Sequence, residues 1–301
     1  MKHDTVNNSK KALRICYILL AVFVFFAAFV TALVAANVAC ERFAHIRPSY
    51  GREEIVPILA KDEKTEAEYG VLYRQTGLSA QGISRLERSY TNKDEFLRAA
   101  LAYQDALFDD YDFSHEVIGP VSSRDVLTQN GVSRYAPLCP LENGDILVSS
   151  SCHTFGWRHG HAALVIDAQS GSVLESVTVG VNSSITYDGA EWFQSCASFL
   201  LLRLKDDYRD RIDPAQVAVS AVKTLNDIPY SLTVGIFGKK DQGERPRVTH
   251  CSHLVWQAYK NFGIDLDANG GGLVSSQDLA NSRYLEVVQA FGFDPEQLWR
   301  Y

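Results

Sequence analysis

At 301 residues, 46% hydrophobic and 22% charged, the chain has a globular composition and length for one sizeable domain plus additional segments. A net charge of −7, with no concentrated basic face, argues against nucleic acid as a partner. Six cysteines, none in a CxxC pair, exclude a dense disulfide framework; a bridge among Cys139, Cys152 and Cys196 is permitted but not indicated.

Residues 1–14 form a polar, basic tail with Lys2, Lys10, Lys11 and Arg14. Residues 15–39 are almost wholly apolar and uncharged, long enough to cross a bilayer as a helix and too long for the core of a cleaved signal peptide. An uncleaved signal anchor is expected, with the basic tail in the cytoplasm and everything after Cys40 outside. Residues 40–63, charged and interrupted by Pro48 and Pro57, read as a loosely ordered stalk. Residues 64–116 read as a small helical region: one helix over 64–76, a shorter one over 80–88, and one from Asn92, with Glu95 placed for a capping box. It carries no evident chemistry and is expected to pack against the domain that follows. Residues 117–140, with Pro120, Gly131, Pro137 and Pro140, read as a connector.

From Gly144 the period changes to that of strands. Four are expected, over 144–150, 160–167, 172–181 and 198–205, with a turn at Ala168–Gly171. Asp213-Pro214 opens a helix running to about Asn226. Residues 247–263 form the most informative stretch. Leu254, Val255, Ala258, Tyr259 and Phe262 recur at helical spacing, Thr249 is placed to cap the start, and Gly263 falls where a left-handed residue ends a helix. A last helix is expected over 276–290. Strands first and helices after give an α+β domain over 141–301, with helices packed on an antiparallel sheet.

Cys251 falls in the first turn of that helix, where unpaired N–H groups and the dipole favour a thiolate. A small buried cysteine is the alternative reading. A thiolate needs a base, and the base an orienting partner. His161 lies in a strand, on a face with Ala163 and Val165 that leaves room for another element. His153 and His159 fall in the loop before it. A hairpin turning near Ala168 and Gln169 pairs residues summing to about 337, which sets His161 opposite or diagonal to Glu175. Glu175 is the one charge among Val173, Leu174, Val177 and Val179. A carboxylate there would fix the imidazole tautomer; a solvent-facing glutamate is the alternative.

Gly144-Asp-Ile-Leu, Gly160-His-Ala-Ala-Leu-Val-Ile, Val173-Leu-Glu-Ser, Ile228-Pro-Tyr and Cys251-Ser-His-Leu-Val-Trp resemble the circularly permuted branch of the NlpC/P60 papain-like superfamily, close to the YiiX/YebB-like permuted amidases. In that branch the histidine strand precedes the cysteine helix, as here. The resemblance covers about half the chain, roughly residues 141–290. It implies a permuted papain-like fold and a thiol hydrolase acting on amides or esters. Cys251 would be the nucleophile, His161 the base, Glu175 the orienting residue, and Tyr230 a residue lining the cleft. It implies no cofactor and no metal. The substrates it suggests are cell-wall peptides of peptidoglycan or acyl-amides. One departure is His253, where the family usually has glutamate; its expected effect is on local packing or substrate contacts.

Two rivals stand beside this reading. Cys152, His153, His159, His161, His250, Cys251 and His253 include zinc-ligand types, although no zinc spacing is present. A non-catalytic module on the same fold is the other, against which the intact Cys251, His161 and Glu175 argue.

Overall fold

The computed structural model describes residues 2–41, 45–119, 122–154, 157–295 and 298–299. Helix α1 (Lys2–Glu41) contains the apolar run, and its Leu13–Ala32 portion is long and apolar enough to cross a membrane, with 0% of that window buried in the protein. The segment after it is not a loose stalk. His45 Nδ1 lies 2.6 Å from the Ala197 carbonyl oxygen, and the Ile46 N–H donates to Gly292 O at 3.0 Å. Pro57 sits in the first turn of α2 (Val56–Leu59), where its fixed φ suits a helix start. Ile55 and Leu59, four apart, are fully buried. This apolar spacing outweighs the charges around it and draws the segment into the core.

The three helices expected next form close to their predicted bounds. Thr65 and Glu68 make a capping box on α3 (Glu66–Thr76), Ser79 caps α4 (Ala80–Arg88), and Asn92 caps α5 (Lys93–Phe108) by accepting from the Asp94 N–H. They do pack on the sheet. Gly77, at φ 71°, lets the chain pass so close to the last strand that an added Cβ would lie 2.1 Å from Ala290 O.

The tail of that helical region and the expected connector are β-structure instead. Strand β1 (Asp112–Val117) pairs antiparallel with β2 (Ser122–Gln129), which also pairs β3 (Val132–Ser133). Asn130 and Gly131, at φ 52° and 75°, form the two-residue Asn-Gly turn that favours a hairpin. Pro120 lies outside the described residues. After β4 (Ile146–Ser149), β5 (Cys152–Thr154) and β6 (Trp157–Arg158) complete this sheet in the order β1-β2-β5-β6, with β3 beside β2.

The main sheet adds β7 (His161–Asp167), β8 (Ser172–Glu175), β9 (Ser184–Thr186), β10 (Phe199–Leu204) and β11 (Leu285–Phe291) to β4, in the order β11-β10-β4-β7-β8-β9, every pairing antiparallel. The third expected strand is shorter than its valine pattern suggested and stops at Glu175. The expected last helix is a short α10 (Ser276–Ala280) followed by β11. Alternation puts Leu147, Ala163, Val165, Val173 and Leu201 in a core with α3, α4, α5 and α6 (Gly189–Gln194). Ile146, Ala162, Leu164, Leu174 and Leu200 face the opposite way, toward α8 (Pro214–Leu225) and α9 (Cys251–Lys260). A short α7 (Asp206–Arg209) precedes α8. The molecule is thus α+β, with antiparallel sheets and helices on both faces of the main one.

Candidate active site

Helix α9 begins at Cys251, and its cap is His250, one residue later than the Thr249 expected. Thr249 is tied elsewhere: its N–H donates to Pro229 O, and its hydroxyl lies 2.9 Å from His253 Nδ1. Gly263, at φ 84°, takes the expected left-handed conformation past the helix end. As first helical residue, Cys251 has no carbonyl four residues back within its helix, so its N–H is one of the helix's orphan donors.

His161 opens β7. Residues facing one another across β7 and β8 sum to 338, as in Ala163 opposite Glu175. That register sets His161 diagonal to Glu175 on one face, and the side chains meet: His161 Nε2 to Glu175 Oε2 is 2.6 Å. The Thr186 hydroxyl, from β9, donates to the other carboxylate oxygen at 2.5 Å. The ring is stacked on Phe193 at 5.7 Å between centroids and edge-on to Trp192 at 5.0 Å. These contacts fix its plane. With Nε2 given to the carboxylate, Nδ1 is the nitrogen left for a thiol.

Strand parity places His161 with Ala163 and Val165, away from the face that α9 covers. The two groups meet because His161 is the first residue of its strand and Cys251 the first of its helix, so contact is made at the end of the sheet. Gly160, at φ 77°, makes that corner tight: an added Cβ would lie 2.4 Å from Ser149 O. The thiol and the imidazole are close enough to hydrogen-bond, and both groups register it. Burial pushes the Cys251 thiol up, but hydrogen bonding to His161 and then to His250 reverses this and holds it well below the ordinary value. Burial likewise opposes a charged His161, yet Cys251 and Glu175 outweigh it and raise the imidazole to about 10. Burial works against ionised Glu175 too, and the hydrogen bond from His161 still brings it below the usual range. The favoured state is a thiolate, an imidazolium and a carboxylate in a row.

Above the thiol lies a cavity of about 670 Å³ lined by Phe29, Trp157, Arg158, His159, Tyr230, Leu232, Ile236, His250, Cys251, Leu273, Val274 and Trp299, among others. Tyr230 is in the wall of this cavity, and its backbone bridges Thr249 just before Cys251. Burial raises its phenol. His159 is also in the wall and is held neutral by burial, its Nε2 2.7 Å from the Thr154 hydroxyl. His253 is a packing residue: Nε2 donates to Lys240 O at 2.8 Å, and burial lowers it to about 4. Its neutral ring ties the loop at Lys240 to the segment before Cys251.

No three of the seven Cys and His residues with zinc-ligand chemistry bring their ligand atoms within 4.8 Å of one another. Among the described residues the one group of three ligand-type side chains is His115, Asp125 and His153, whose Asp125 is also 2.7 Å from the Arg158 guanidinium. Cys139, Cys152 and Cys196 are free and buried, and burial raises all three thiols. Sequence reasoning did not anticipate Thr186 or the Trp192–Phe193 wall, which lie on elements with no motif of their own. His250 was visible as the residue before Cys251. No family model, curated protein or solved structure matches this chain.

Proposed function

We propose that this chain is a membrane-anchored cysteine hydrolase of the permuted papain-like type, cleaving amide or ester bonds. The observation that supports it best is the buried row Cys251–His161–Glu175, in which the carboxylate is 2.6 Å from the imidazole and the imidazole is the main influence lowering the thiol. His161 holds the thiol proton, Cys251 attacks the carbonyl carbon, and the helix-start N–H of Cys251 faces the developing oxyanion. The imidazolium then returns its proton to the leaving amine or alcohol. Water, deprotonated by His161, breaks the thioester, and the sulfur leaves as the thiolate beside the imidazolium, which restores the starting pair. Glu175 keeps the proton on Nε2 throughout.

The predominantly apolar cavity fits a substrate with an apolar group beside its scissile bond, favouring an acyl-amide or acyl ester over a polar cell-wall peptide. The basic flank before the span favours a cytoplasmic N-terminus with the catalytic domain outside. Labelling with a thiol-directed activity probe tests the reading. Wild type should label strongly, Cys251→Ala not at all and His161→Ala weakly. Equal labelling of the three would overturn it.

A further inference from the structure

Three exposed apolar side chains line the cavity, and a fourth follows them in the chain. Trp157, Leu232 and Ile236 line it and are 54%, 37% and 52% exposed, and Phe237 beside them is 90% exposed. Single exposed apolar residues are ordinary, but a cluster at the entrance of an apolar cavity marks an interaction surface. The loop that carries three of them is built rather than loose. Val234 is buried beneath it, and the N–H groups of Ile236, Phe237 and Gly238 all donate to Thr233 O at 3.0–3.1 Å. The N–H groups of its tip are thus satisfied internally, which lowers the cost of entering lipid.

What covers this surface is indicated by the fourth wall of the cavity. Phe29 belongs to α1 and lies within the apolar run of residues 15–39, ten residues, about 15 Å of helix, before Ala39. The domain also begins close to the helix. His45 and Ile46 are already bonded to Ala197 and Gly292, and from Glu41 to His45 the chain can reach only about 14 Å. A domain that touches the span at Phe29 cannot stand clear of the bilayer. Lys239, exposed two residues beyond Phe237, is placed for the phosphate level.

We propose that the loop Leu232–Phe237, together with Trp157, is seated in the bilayer that α1 spans, so that the cavity over Cys251 opens at the membrane interface and admits amphiphiles from the lipid phase. The admission of substrate rests on the function proposed above; the seating of the loop rests on the cavity wall and the span alone.

The test uses the full chain in phosphatidylcholine nanodiscs. Phe237→Cys is labelled with bimane after Cys16→Ser, Cys40→Ser and Cys251→Ala replacement, and quenching by a nitroxide-bearing lipid is compared with quenching by aqueous iodide. The nitroxide lipid should quench the emission strongly, as for an interfacial apolar residue, while iodide has little effect. Strong iodide quenching with no lipid quenching would overturn the proposal. Iodoacetamide labelling of Cys251 in the otherwise unmodified chain separates the two readings. An inert thiol beside a lipid-quenched loop defeats the hydrolase alone, and a reactive thiol beside an iodide-exposed loop defeats the seating alone.

Discussion

Glu175→Gln keeps the shape of the third group and removes its charge. At 2.6 Å the Glu175–imidazole bond has a charged acceptor, worth about 1.5–3 kcal/mol, and a neutral amide retains roughly half of that. The imidazolium then loses about 0.8–1.5 kcal/mol of support, about a four- to twelve-fold loss of reactivity. Thr186 makes the loss larger. Because its hydroxyl donates to Oε1 at 2.5 Å, the glutamine carbonyl stays there and the amide NH₂ faces His161 Nε2. That arrangement forces the imidazole proton onto Nδ1, the nitrogen left for the thiol, and removes the base. Turning the amide over costs the Thr186 bond, about 1 kcal/mol, so the total loss comes to about 10–100-fold. The assay is the second-order rate of iodoacetamide alkylation at Cys251, read by peptide mass spectrometry near pH 6.5. Buried Cys139 and Cys196, raised to about 12 and about 11, are silent there. A change below about twofold would refute the reasoning, since even the smallest charged-bond contribution exceeds it. Adding Thr186→Val frees the amide to turn and should restore part of the rate.

Two further outcomes concern the scaffold. Gly160→Ala places a Cβ 2.4 Å from Ser149 O at φ 77°, so it should lower the thermal midpoint, by more than the roughly 1 kcal/mol of a tolerated glycine change, and slow alkylation with it. Arg203 makes two hydrogen bonds to buried Asp145, at 2.7 and 2.6 Å. Arg203→Leu leaves that carboxylate without a cation, holding only the Glu142 N–H, and should cost about 3–5 kcal/mol in a urea titration, most of which Asp145→Asn in the same chain recovers.

The parts legible in the sequence were those with a local period. The stripe of α9, the start of β7 and the Asp213-Pro214 cap each announce themselves within a few residues, and the hairpin register came within one. The diagonal contact of His161 and Glu175 followed from that register. What sequence did not disclose depends on pairing between distant segments. Leu285–Phe291 is a strand because β10 is there to pair with it; its Leu, Glu, Gln and Ala content reads equally well as helix. Thr186 reaches Glu175 only after β9 docks on β8. Ile55 and Leu59 looked like two apolar residues in a charged stretch, and only the core that receives them makes them structural. The hairpin at Asn130-Gly131 carried a clear signal that the neighbouring prolines obscured.

The pH dependence of Cys251 alkylation tests the central claim most directly. A thiolate held by His161 and His250 should alkylate at a constant rate from mildly acidic pH up to about 10, where the raised imidazole finally loses its proton. The rate should fall on the acid side only well below the ordinary thiol value of about 8.5. His161→Ala should move that limb back to the ordinary value or above it, because burial then acts unopposed. A wild-type profile that rises through a single midpoint at or above about 8.5 would contradict the account, because the sulfur would then be an ordinary buried thiol.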